Sequence, residues 1–211
     1  MEVKLDKIVP VYLEKEKVDT SEIWAHTIEF SGKHIHIVAP SGRGKSSLIQ
    51  FMYGIRKDYR GTVLYNNTAV SGLSVEELSE LRTKEISIVF QDLRLFPEHT
   101  AYQNISIKRD LLPYGKSMID YMAERLGIGN KMQQSVRHCS YGEQQRIAII
   151  RALQQPFSLL ILDEPFSHLD ENNSRIAMEL IQEEAEKRNA SILLLDLDRV
   201  PFFPADPVYH L

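Results

Sequence analysis

At 211 residues, with a net charge of −4 and a single cysteine, Cys139, the chain is long enough to bury a substantial core and carries no internal disulfide. No block of Lys and Arg marks a nucleic-acid surface, so nucleic acid is not expected as a partner, and no stretch approaches the roughly 20 apolar residues needed to cross a bilayer. The charged start, Met1 to Asp6, has no apolar segment behind it, and a lone cysteine fits a reducing cytosol, where it reads as a small buried hydrophobe.

Over the first 70 residues short apolar runs alternate with turn signals, which predicts strands at 9–13, 23–30, 34–38 and 61–70, the last folded into a hairpin at Asn66-Asn67. Between the apolar run 35–38 and a helical run at 47–53 lie Ala39-Pro40-Ser41-Gly42-Arg43-Gly44-Lys45-Ser46. This is a phosphate-binding loop, G-x-x-x-x-G-K-[ST], with Ala39 in place of the first glycine. Gly42 and Gly44 allow the tight turn that aims backbone N–H groups, from Ser41 and Arg43 through Ser47, at phosphate oxygens. Lys45 is expected to reach the β- and γ-phosphates, and Ser46 to help hold Mg²⁺.

Ser74 with Glu77 forms a capping box ahead of a helix carrying Leu78 and Leu81, and a strand follows at 86–90. Residues 93–153 read as mainly helical. Two strongly apolar strands, 159–162 and 192–195, are separated by an amphipathic helix with Ile176, Leu180 and Ile181 on one face. The pattern is parallel βαβ architecture enclosing a helical insertion, with no internal repeat.

Two further motifs carry chemistry. The strand Leu159-Leu160-Ile161-Leu162 ends in Asp163 and Glu164. A buried parallel strand delivers its C-terminal residues to the ligand crevice, so Asp163 is expected to support Mg²⁺ opposite Ser46, and Glu164 to orient or deprotonate the water that attacks the γ-phosphate. Ser140-Tyr141-Gly142-Glu143-Gln144-Gln145-Arg146 opens a helix. As a capping box of Ser140 and Glu143 it needs no other role; as a helix N-terminus with Ser140 and the Gly142 backbone exposed it is also a second anion site. A two-fold dimer reconciles the two anion sites, with this one closing over the γ-phosphate held by Lys45 of the other subunit.

Taken in order, the phosphate loop, Gln91 after its strand, S-Y-G-E-Q-Q-R, L-L-I-L-D-E-P and Ser167-His168-Leu169-Asp170 resemble the motif series of an ATP-binding cassette (ABC) ATPase over nearly the whole chain. The resemblance implies an α/β fold with a P-loop NTPase core, a mostly parallel sheet, an N-terminal antiparallel β subdomain and a helical subdomain at about 93–153, all within one nucleotide-binding domain of residues 1–211. It implies ATP and Mg²⁺ as ligands, Gln91 as a sensor of Mg²⁺ and of the attacking water, and 167–170 as a loop touching the opposite subunit of a homodimer or paired cassette. Glu143 belongs to the signature that closes on the nucleotide. Tyr12, 33 residues before Lys45, stands where such cassettes place an aromatic on adenine, a position equally suited to a core tyrosine.

The run Val89-Phe90-Gln91-Asp92-Leu93-Arg94-Leu95-Phe96-Pro97, with Thr100 and Asn104, is similar to lipoprotein-releasing, macrolide-exporter and cell-division ATPases. That group implies a peripheral subunit at the cytoplasmic face of the inner membrane, driving an integral membrane permease. Leu93, Leu95 and Phe96 then suggest the groove that receives the permease, or packing within the helical lobe. No regulatory domain is expected after Val208-Tyr209-His210-Leu211. One departure stands out: where the family carries a Thr-His-Asp switch, this chain reads Asp196-Leu197-Asp198, which implies slow hydrolysis unless another group, His168 or His210 among them, substitutes for the missing donor. The function expected is ATP-driven export or lipid or lipoprotein extraction; the alternative is a nucleotide-gated regulator with weak turnover that signals to a cell-wall enzyme or sensor.

Overall fold

Strands apolar at every position must be covered on both faces, and the centre of this molecule is built that way. The computed structural model describes all residues except 31, 109, 110 and 112–114. Its parallel sheet has the order β6 (Ile86–Val89), β7 (Leu159–Asp163), β8 (Ser191–Asp196), β3 (His34–Val38), β9 (Val208–His210). Side chains alternate between two cores. Leu160, Leu162, Ile192 and Leu194 point into one, shared with α6 (Tyr141–Ala152) and α7 (Glu171–Lys187). Leu159, Ile161, Leu193 and Leu195 point into the other, shared with α2 (Lys45–Met52) and an antiparallel sheet.

That second sheet has the order β2 (Thr27–Phe30), β1 (Val3–Pro10), β4 (Tyr59–Tyr65), β5 (Thr68–Ala69). Asn66 and Asn67 make the expected hairpin, both with positive φ (46° and 65°), as a type I′ turn requires. The fold is therefore the mixed α/β one expected, with a parallel and an antiparallel sheet. The edges differ. The strand expected at 9–13 begins at Val3 instead, and only 27–30 of the run 23–30 is a strand, although Ile23 and Trp24 are fully buried. In β1, Val3 and Leu5 point inward. A register shift between Asp6 and Val9, with Lys7 at φ 49°, then turns Ile8 inward as well, so no continuous alternation marks the strand.

A short helix, α1 (Lys15–Asp19), follows β1, and α3 (Val75–Lys84) carries the expected capping box of Ser74 and Glu77. The segment expected to be helical holds α4 (Ala101–Ser106), α5 (Lys116–Arg125) and α6, which share one core through Ile105, Met122 and Ile149. Residues 93–100 within it are not helical. Cys139 is buried.

Candidate functional site

The phosphate-loop sequence leaves β3 at Ala39, whose N–H donates to the Asp196 carbonyl at 2.8 Å. Gly42 and Gly44 both have positive φ (79° and 95°). Gly44 is constrained twice, because a Cβ there would also lie 2.9 Å from the Trp24 ring. Trp24 forms the floor of the loop, donating its indole N–H to the Arg43 carbonyl at 3.0 Å, a role with no signal in the sequence. Gly44 is the N-cap of α2 and no side chain caps that helix, so its first turn presents backbone donors and the positive end of its dipole.

Lys45 is buried and its ammonium pairs with Glu164 and, at 3.4 Å, with Asp163 Oδ1. Burial holds its pKa below the usual lysine value, against the pull of Asp163 and Asp196. Gln91 Nε2 donates to the other Glu164 oxygen at 3.1 Å. Glu164 adopts φ 45°, a left-handed conformation costly for a non-glycine residue, and its N–H donates to the Leu195 carbonyl at 2.9 Å. Asp163 Oδ1 is buried without a hydrogen-bond partner, and burial raises the Asp163 and Asp196 pKa values.

A cavity of about 460 Å³ opens on these groups. Its wall includes Ser41, Gly42, Gly44, Lys45, Ser46, Ser47, Gln91, Glu164 and Leu197, together with Tyr12, Leu13, Glu14 and Lys17. Tyr12 is half exposed and donates its hydroxyl to Ser47 Oγ at 2.5 Å, which puts it on the cavity and out of the core. A smaller hollow of about 170 Å³ gathers Ser46, Gln91 and Asp163. Among the described residues no group of three His, Cys, Asp or Glu forms a metal cage. One buried carboxylate oxygen held only by the Lys45 ammonium at 3.4 Å, one hydroxyl and one amide instead fit a cation that keeps waters and takes further ligands from a phosphate chain, the habit of Mg²⁺.

The signature residues lie elsewhere. Ser140 caps α6, accepting from the Glu143 N–H at 3.3 Å, while Glu143 accepts from the Ser140 N–H at 2.7 Å. Burial alone would raise the Glu143 pKa, but the Ser140 N–H and Lys131, 3.2 Å away, bring it below the usual range. Gly142 packs so closely that a Cβ would lie 2.8 Å from the His168 carbonyl. Gln145 donates to Ser167 Oγ at 2.9 Å and accepts from the His168 N–H at 3.1 Å, so residues 167 and 168 ride on α6. Tyr141 joins the two regions, its hydroxyl donating to the Gln91 carbonyl at 3.2 Å. None of Ser140, Gly142 and Glu143 lines the cavity of its own chain.

The apolar run after Gln91 divides. Leu93 is buried in the core, with its carbonyl bound by Arg151, and Leu95 is partly buried against the same core. Only Phe96 of the three stands out, 51% exposed, with its N–H and carbonyl both held by Asn104 at 2.8 and 3.0 Å. Leu93 therefore answers to packing, because the positive φ at Leu93 and Arg94 turns its side chain inward. Leu197 lies on the cavity wall, its N–H donating to Asp196 Oδ1 at 2.7 Å. Neither histidine considered as a substitute reaches the cavity wall: His168 stacks on Tyr141, and His210 pairs with Glu22.

Residues 27–167 match the family described as ABC transporter. The chain is 31% identical over 191 residues to the lipoprotein-releasing system ATP-binding protein LolD of Buchnera aphidicola, covering 89% of this chain and 83% of that one. It is 32% identical over 184 residues to LolD of Saccharophagus degradans, covering 85% and 81%. In structure it is similar to a dimeric bacterial ABC transporter cassette, with TM-score 0.74 and 24% identity over 93% of this chain and 88% of that one. It also superposes on an ATP-bound bacterial Atm1-family ABC exporter, with TM-score 0.80 and 22% identity, where it spans all of itself and 36% of the exporter chain.

Proposed function

Because the chain belongs to the ABC transporter family, we propose that it is the ATP-hydrolysing subunit of a membrane complex, binding two ATP molecules between two cassettes. The observation that supports this best is the meeting of Lys45, Gln91, Asp163 and Glu164 on one cavity system beneath an uncapped helix N-terminus. In this reading Ser41 to Ser47 cradle the phosphates and Lys45 exchanges Glu164 for the β- and γ-phosphate oxygens. Glu164, released from Lys45, turns to the attacking water together with Gln91. Ser46, Asp163 and Gln91 would hold Mg²⁺, which would supply neutralisation of phosphate charge when bound. Ser140, Gly142 and Glu143 of one subunit close on the γ-phosphate of the other, since within one chain they lie off the cavity.

The LolD relatives are named for lipoprotein release, and similarity to them supports a membrane partner that extracts or exports lipid-linked cargo, with this chain peripheral to it at the cytoplasmic face of the inner membrane. Among the described residues no helix is long and apolar enough to cross a membrane. In this reading the spanning part is a permease, docked near the exposed Phe96. Leu197 favours a second reading, a nucleotide-gated regulator with weak turnover, because the cavity wall offers a methyl group where a side-chain donor would steady the transition state. Phosphate release by the purified chain, alone and with its co-purified membrane partner, separates them. Partner-stimulated turnover supports the transport motor, and ATP-dependent dimers without turnover support the regulator.

A further inference from the structure

Arg56 lies off the cavity wall yet bears on a residue that lines it. We propose that Arg56, fixed by Asp58, is a positioning residue for the nucleobase: it backs one face of the Tyr12 ring so that the other face is held ready to stack on the base of ATP. This rests on the reading of Tyr12 as the base platform.

The arrangement is specific. The Arg56 guanidinium carbon lies 4.8 Å from the Tyr12 ring centroid and 5.9 Å from that of Phe51. Its Nε donates to Asp58 Oδ1 at 2.9 Å and a terminal nitrogen pairs with Oδ2, a two-point fork that fixes the plane of the group. The Arg56 N–H donates to the Gln50 carbonyl at 3.3 Å, which ties the fork to α2. The Tyr12 hydroxyl is tied to the same helix through Ser47. A half-exposed tyrosine just after β1 is thus held at its tip and on one face by groups carried on or beside the phosphate-loop helix. In this reading the face that Arg56 covers is the one turned away from the ligand, in keeping with Tyr12 lining the cavity and Arg56 not.

Holding the ring this way has two consequences. A ring already fixed loses less rotamer freedom when a base stacks on it, and the cation on its rear face adds its own attraction to the ring. The gain falls on the base and not on the phosphates, so it is separable from the phosphate loop. Lysine at position 56 would keep the charge but lose the planar fork with Asp58, and so act only in part.

The test compares equilibrium binding of MgATP and of magnesium tripolyphosphate, which has no base, to the purified full chain. Arg56→Ala should weaken ATP about threefold to tenfold and leave tripolyphosphate binding unchanged. Arg56→Lys should recover part of the loss, and Tyr12→Ala with Arg56→Ala should bind ATP no worse than Tyr12→Ala alone. Equal loss for both ligands in Arg56→Ala would overturn the inference, as would a silent Arg56→Ala beside a Tyr12→Ala that loses ATP selectively. If Tyr12→Ala itself fails to discriminate between the two ligands, the base-platform reading falls first and the role of Arg56 with it.

Discussion

The N-termini of α2 and α6 use the same physics in opposite conditions. At α2 no side chain caps the helix, the preceding residues lie on a cavity, and a buried lysine stands among three carboxylates, Asp163, Glu164 and Asp196. At α6 Ser140 and Glu143 satisfy the end donors in a closed capping box, the Gly142 backbone presses on residue 168, and these residues lie off the cavity that the α2 end opens on. The first is a prepared binding site. The second is a stable helix end with its donors already satisfied, and that difference is what the proposed composite site across a dimer rests on.

The sharpest break is Lys45→Ala, which removes the cation of the first site and leaves two buried carboxylates unpaired. ATP affinity should fall about 10³-fold, measured by equilibrium binding, and wild-type affinity would contradict the assignment of the loop. Glu164→Gln should keep ATP binding but slow phosphate release about 10²-fold or more, collecting ATP-bound dimers visible by size exclusion. Hydrolysis at the wild-type rate in the Glu164→Gln variant would remove Glu164 from the chemistry.

The frame behind α2 carries its own limit. His36 on β3 is fully buried, neither ring nitrogen has a hydrogen-bond partner, and burial, with Arg199 and His210 adding to it, lowers its pKa to about 4. A folded pKa below the unfolded value means that the contribution is whole above about pH 6.5 and is lost as pH falls through about 4. Unfolding free energy should drop by about 3 kcal/mol across that window, and His36→Leu should flatten the drop in denaturant titrations. An identical pH profile in the variant would show that His36 does not govern it.

The smallest effect is expected at Leu197, where the first site lacks a donor. Leu197→His should raise turnover about tenfold with little change in ATP affinity. No gain, together with brisk wild-type turnover, would show that the site works without that donor and would leave the transport reading ahead of the regulatory one.

What was legible in the sequence follows the same contrast. The elements around α2, β7 and α6 rest on local rules: a glycine-bearing turn between strand and helix, a fully apolar strand ending in carboxylates, and a Ser-x-x-Glu box. The asparagine hairpin is equally local. What escaped depends on contacts distant in the chain. β1 hid behind charged residues and a register shift at Lys7, and Leu93 reads as a groove residue until the positive φ of its turn folds it into the core. Trp24 beneath the loop and Arg56 behind Tyr12 carry no motif, because their roles come from packing across 19 and 44 residues of chain.

If α2 of one chain and α6 of another share one nucleotide, mixing two inactive variants should rebuild the site. Ser140→Arg puts bulk and positive charge into the α6 half, and Lys45→Ala empties the α2 half, so neither alone should dimerise in ATP. With Glu164→Gln in both chains to prevent turnover, an equimolar mixture restores one composite site, from Lys45 of one chain and Ser140 of the other. An ATP-dependent dimer should form in the mixture and in neither component, as read by size exclusion with light scattering. A mixture that stays monomeric while the Glu164→Gln parent dimerises would contradict the shared site.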